Sequence, residues 1–142
     1  MATSLLGLVL DSSTVIAAER RKQSVAEFIE SILLAHGPLD LSLSPVTVAE
    51  LVHGIFRAQT PEAAQSRRLF IEELVSLIPV HPAGRQTGWL AGEIDGQQAA
   101  KGNVLPFNDL MIAAAAIEQG YAVLTTNLRH FRKIPDLTVI PF

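Results

Sequence analysis

A chain of 142 residues with 49% hydrophobic and 18% charged residues has the composition of a folded globular protein, not of a disordered one. The length suits one domain, expected over residues 1–142, with room to bury a core. Without cysteine there are no disulfides or thiolate metal sites, and a net charge of −3 gives no overall pull toward nucleic acid or an anionic membrane.

In chain order, Leu5-Leu6-Gly7-Leu8-Val9-Leu10 is a short apolar run bounded by polar turn-formers, which predicts a strand buried on both faces. It runs into Asp11-Ser12-Ser13-Thr14 and then a short helix over Val15 to Arg20. Ser24 is placed to cap an amphipathic helix with Val25, Phe28, Ile29, Ile32 and Leu33 on its apolar stripe, stopped by Gly37-Pro38. Leu39 to Leu43 predicts a second strand. Ser44-Pro45 is an N-cap followed by proline at the first helical position, and Glu50 falls in the second turn of the helix it opens.

Thr60-Pro61 repeats that device and opens a helix reaching about Leu77, with Leu69, Phe70, Leu74 and Leu77 as its expected stripe. Ile78-Pro79-Val80 predicts a weak edge strand. Ala83 to Lys101 reads as a helix interrupted by Gly84, Gly88, Gly92 and Gly96, and the lone Trp89 is expected in the core. Leu110 to Gln119 is an alanine-rich helix, apolar almost all round and so buried, with Gly120 as its C′ residue. Ala122 to Thr125 is a further buried strand, Thr126 to His130 a polar turn, and Leu137 to Ile140 a last strand.

Strands alternating with helices predict an α/β fold: a single compact three-layer domain with a central, mostly parallel sheet of four to five strands flanked by helices. No apolar run approaches a membrane span, and Met1-Ala2-Thr3-Ser4 lacks the basic start of a signal peptide. A soluble, cytoplasmic protein is expected.

In open parallel sheets, ligands sit beyond the carboxyl ends of the strands. Asp11 stands at such an end, Glu50 lies early in the helix after the second strand, and Asp109 begins the helix leading to the strand that Asn127 follows. If the first strand neighbours Ala122–Thr125, these residues converge. Acids held close repel one another and ionise together at neutral pH only with a cation. Hard oxygen ligands favour magnesium or manganese over zinc, and such an ion suits phosphoryl chemistry. Each residue also has a plainer explanation. Asp11 serves equally as a helix cap, Glu50 as an exposed helix residue, Asp109 as a charge favoured by the helix dipole, and Asn127 as a turn residue. His36, His81 and His130 read as surface or turn residues. The local basic features are Arg20, Arg21, Lys22, Arg57, Arg67 and Arg68, which serve as solvated faces or as contacts to an RNA backbone.

Four stretches together resemble the PIN-domain family, in particular the VapC-type toxins of type II toxin–antitoxin systems. They are Val9-Leu10-Asp11-Ser12-Ser13, Ser44 to Leu51, Pro106 to Ala114, and Leu124 to Phe131, and their order spans nearly the whole chain. The resemblance implies a PIN-like fold and a magnesium-dependent endoribonuclease that hydrolyses RNA phosphodiester bonds, with Mn²⁺ as an alternative ion. It implies Asp11, Glu50 and Asp109 as the catalytic and metal-binding acids, supported by Ser13 and Asn127. Arg20, Arg21, Lys22 and Arg57 become the RNA-contact candidates, and the implied partners are a VapB-like antitoxin and a second copy of the chain. The family often carries a fourth acid in the turn after Thr125, where this sequence offers Asn127 and His130.

Two other functions compete. A haloacid-dehalogenase-like phosphatase also places an Asp after its first strand, but needs a second Asp two residues on, where Ser13 stands here. A non-catalytic interaction module would use the acids only to stabilise helix starts.

Overall fold

The computed structural model describes residues 5–142, so the reading of Met1 to Ser4 as lacking a leader lies outside the described residues. Among these residues four strands form one sheet: β1 (Gly7–Leu10), β2 (Asp40–Ser42), β3 (Ala122–Thr125) and β4 (Val139–Pro141). Their order is β2-β1-β3-β4, and every pairing is parallel. Among the described residues seven helices accompany them: α1 (Ser12–Arg20), α2 (Val25–His36), α3 (Pro45–Phe56), α4 (Pro61–Leu77), α5 (Arg85–Ala100), α6 (Phe107–Gln119) and the single turn α7 (Leu128–Phe131). Among the described residues no helix is long and apolar enough to cross a membrane.

The sheet separates two apolar clusters because successive strand side chains point to opposite faces. Leu8, Leu10 and Leu124 pack with Val15, Phe28, Ile32, Leu51 and Leu74 from α1 to α4. Val9 and Val123 pack with Ile94, Leu110, Ile112 and Phe131 from α5 to α7. The three layers are therefore helices, sheet, helices. The two central strands are buried along their whole length, which is why each reads as a continuous apolar run.

Local signals hold where they rest on capping. Ser24 and Glu27 form a reciprocal capping box at α2, with Ser24 N–H to Glu27 Oε1 at 2.9 Å and Glu27 N–H to Ser24 Oγ at 3.1 Å. Ser44 and Thr60 accept from Val46 N–H and Ala63 N–H at the starts of α3 and α4. Gly120 ends α6 in the left-handed region at φ 72°, as expected of a C′ glycine.

Other expectations change. Ile78–Val80 is not a fifth strand but a single parallel bridge between Val80 and Leu43. Pro79 has no N–H, so the contact is limited to Leu43 N–H on the Pro79 carbonyl and His81 N–H on the Leu43 carbonyl. The sheet is wholly rather than mostly parallel. α5 is continuous through Gly88, Gly92 and Gly96, because its buried face is Thr87, Ala91, Ile94 and Gln98. Trp89 lies off that face and is 62% exposed, not in the core. In α4 the inward residues are Ile71 and Leu74, while Leu69 and Leu77 face solvent. The turn after β3 contains a helical turn, and the first strand starts at Gly7 rather than Leu5.

Gly7 fixes how β1 sits. A Cβ there would lie 2.6 Å from the Asp40 carbonyl oxygen and 2.7 Å from the Tyr121 ring. Gly7→Ala must push the β2 backbone and the ring apart and should cost about 1–3 kcal/mol, measured by urea unfolding. An alanine variant as stable as wild type would contradict this account of the β1–β2 pairing.

Candidate active site

β1 and β3 are neighbours, so the acid that follows β1 stands beside the hydroxyl that closes β3. Asp11 N–H donates to the Leu124 carbonyl at 3.0 Å, extending the ladder by one residue. Asp11 occupies the N-cap position of α1, yet its side chain makes no capping hydrogen bond. Asp11 is 6% exposed, and its Oδ2 instead accepts from Ser13 Oγ at 2.7 Å and Thr125 Oγ1 at 2.8 Å. Each hydroxyl has a single proton, so both are spent on Asp11. Each hydroxyl oxygen then accepts a backbone N–H: Thr126 N–H to Ser13 Oγ at 3.0 Å, and Asn127 N–H to Thr125 Oγ1 at 2.8 Å. Ser13, the position at which a phosphatase of the competing class needs a second acid, thus serves as a donor to the first.

Asp109 enters in the first turn of α6. Its Oδ2 lies 2.8 Å from His130 Nδ1, with 14% of the Asp109 side chain and 32% of the His130 side chain exposed. Burial raises the Asp109 carboxyl above its ordinary range. The His130 hydrogen bond pulls it back, and the Asp11 charge pushes it up again.

Glu50 comes from α3, half-buried. Burial raises its carboxyl above the ordinary range. The Asn108 side chain opposes the rise, the charges of Asp11 and Asp109 add to it, and Ser12 opposes it. Glu50 Oε1 is buried with no hydrogen-bond partner. An orphaned carboxylate oxygen of this kind costs free energy unless something positive reaches it.

The structure therefore brings Asp11, Glu50 and Asp109 within electrostatic reach of one another. Among the described residues, no three acids or imidazoles are gathered tightly enough to enclose an ion as they stand. The donor set nevertheless suits a hard divalent cation: all oxygens, mutually repelling, with Glu50 Oε1 unpartnered. Asn127 contributes through its backbone N–H, while its side chain is exposed and makes no cap bond. Arg20 and Arg21, at the end of α1, line a groove with Ile16, Ala17, Thr126 and Ser13, the last of which donates to Asp11. Arg21 also stacks over the Phe142 ring at 5.2 Å. Lys22 and Arg57 are exposed and are not part of that groove. Arg67 has a structural contact, donating to the Gly54 carbonyl at 2.7 Å.

Ser12, Asn108, Thr125 and His130 are the contributors to this site that sequence reasoning did not assign. Thr125 carried a usable signal, since a polar residue closing an apolar strand repeats the pattern of Asp11.

A model of the PIN domain family matches residues 8–137. The chain belongs to the PIN domain family. Within this family the chain is 31% identical to the Ribonuclease VapC of Rickettsia bellii, over 95% of this chain and 96% of that protein. It is 30% identical to the tRNA(fMet)-specific endonuclease VapC of Salmonella typhimurium, over 70% of this chain and 73% of that one. The PIN fold is also that of the DNA-bound VapBC from Salmonella typhimurium, with a TM-score of 0.79 at 26% identity, covering 96% of this chain and 98% of that one.

The raised carboxyls have a consequence for stability. The folded chain binds protons at Glu50 and Asp109 more tightly than the unfolded chain does. Their contribution is fully present below the ordinary carboxylate range and is lost as pH rises through the raised values. Metal-free Glu50→Gln should therefore melt above wild type at neutral pH, and the difference should close in acid. A Glu50→Gln protein less stable than wild type at neutral pH would contradict this reading.

Proposed function

We propose that this chain, acting as a single PIN-like domain, is a divalent-metal-dependent endoribonuclease and the toxin of a toxin–antitoxin pair. The observation that carries the reading is Glu50 Oε1, buried without a partner beside two further acids whose charges it feels. Such a group of carboxylates is balanced by a cation, and a cation so held suits phosphodiester hydrolysis. Membership of the PIN family and the likeness to VapC ribonucleases support the same activity.

Asp11 and Asp109 would hold the ion, magnesium with manganese as the alternative, and Glu50 would complete the pocket. When bound, the ion neutralises charge on the phosphate and lowers the pKa of water. The chain's own part is to aim its acids. Ser13 and Thr125 fix Asp11 by one oxygen, so the other is the one offered to ligand. Glu50 would position the attacking water. The groove bearing Arg20 and Arg21 gives an RNA backbone cations next to the acids in a chain whose net charge is negative. Lys22 and Arg57 are exposed outside this groove and serve at most as outer contacts. Regulation would come from a VapB-like antitoxin, the partner named in the VapBC complex that this fold matches. A second copy of the chain has exposed apolar groups to use on the packed pair α3 and α6, namely Phe56 and Phe107. The cytoplasm, where RNA and an antitoxin meet, is the site of action.

Cleavage of a mixed RNA pool with magnesium tests the activity. Asp11→Asn and Asp109→Asn should each lower the rate by about 100-fold or more, because each removes a ligand of the ion that activates the reacting water. Equal, metal-independent background from all three proteins would remove the nuclease reading. Arg20→Ala/Arg21→Ala should weaken RNA binding and flatten its salt dependence by about one unit of slope per arginine. An unchanged slope would take the groove out of the RNA path.

A further inference from the structure

The segment from Thr125 to Phe131 touches both of the acids that end or begin an element at this edge of the sheet. At its start, Thr125 Oγ1 donates to Asp11 Oδ2 at 2.8 Å. Thr126 N–H and Asn127 N–H then lock the two hydroxyls that hold Asp11. Within α7, His130 Nδ1 meets Asp109 Oδ2 at 2.8 Å. The base of this segment is rigid. Phe131, the next residue, is fully buried in the α5–α7 cluster. Two residues beyond it, the Lys133 carbonyl accepts from Gln98 Nε2 at 2.9 Å, and Gln98 is itself 1% exposed. His130 thus stands on a fixed platform, which is what a group needs if it is to aim another side chain.

We propose that His130 is the positioning residue for Asp109: its Nδ1–H ties down Oδ2 and leaves Oδ1 as the oxygen offered to a cation. This rests on the nuclease reading above. An ionised carboxylate only accepts, so Nδ1 carries the proton of this bond. The arrangement repeats that of Asp11, whose Oδ2 is tied by Ser13 and Thr125. It also supplies a donor instead of a further negative charge at a site where three carboxylates already repel. Partners that orient a metal-binding carboxylate act through that carboxylate, and losing one typically costs about 10–100-fold in metal affinity or activity.

The test pairs His130→Ala with His130→Asn, whose amide nitrogen stands where Nδ1 stands. A third of the His130 side chain is exposed, so the truncation opens no core cavity. Mn²⁺ affinity is measured by calorimetry on the protein alone, and cleavage is measured with magnesium. His130→Ala should bind Mn²⁺ about tenfold more weakly and lose about tenfold or more in kcat with KM for RNA unchanged, and His130→Asn should recover most of both. Wild-type Mn²⁺ affinity in His130→Ala, or an asparagine variant as impaired as the alanine one, would overturn the assignment. Wild-type protein whose Mn²⁺ affinity depends on His130 but which leaves RNA intact would overturn the nuclease reading and keep the assignment. Wild-type protein that binds no Mn²⁺ would overturn both.

Discussion

The parallel pairing of β1 with β3 is the constraint on which the rest of this molecule depends. It joins the start of the chain to a strand more than a hundred residues later, and Thr125 meets Asp11 across a separation of 114 positions. Because the pairing is parallel, both strands end at the same edge of the sheet. The polar residues that close them arrive together, and so do the helices that follow. Asp11 N–H on the Leu124 carbonyl shows the ladder running one residue into the site, so the first acid is part of the sheet's own hydrogen bonding.

A site built this way is under electrostatic tension. Three carboxylates face one another in a partly dry pocket, and two of them are pushed toward the protonated form by burial. The fold offsets this unevenly. Asp11 has two hydroxyl donors and Asp109 has an imidazole, while Glu50 keeps one oxygen buried and unpartnered. Asp11 and Asp109 are fixed in direction by these donors, and Glu50 keeps one oxygen open to a ligand. Such division of labour suits a pocket whose ligand is positively charged, and it leaves the free chain less stable than a neutral pocket would.

Much of this was legible in the sequence, for a physical reason. Strands buried on both faces must be apolar throughout, so a polar residue at their end stands out, as Asp11 does after Leu8-Val9-Leu10. Caps are local too, and Ser24, Ser44 and Thr60 start helices where their neighbours say they should. Facts set by tertiary packing were not legible. Which face of α5 turns inward depends on α6, and so Trp89 lies outside. Whether Ile78–Val80 joins the sheet depends on a proline meeting Leu43 across an edge. His130 read as a turn residue because nothing in its own segment points to Asp109, 21 positions earlier on another helix. PIN family membership covers residues 8–137 and accounts for the order of the motifs.

The chemistry of the cleaved ends tests the central claim most directly. If the acids direct water onto the phosphorus, RNA cut in heavy-oxygen water carries one solvent oxygen in each new terminal phosphate, and the label vanishes with Asp11→Asn. New ends bearing a 2′,3′-cyclic phosphate without solvent oxygen would show attack by the ribose hydroxyl instead, and would contradict the account.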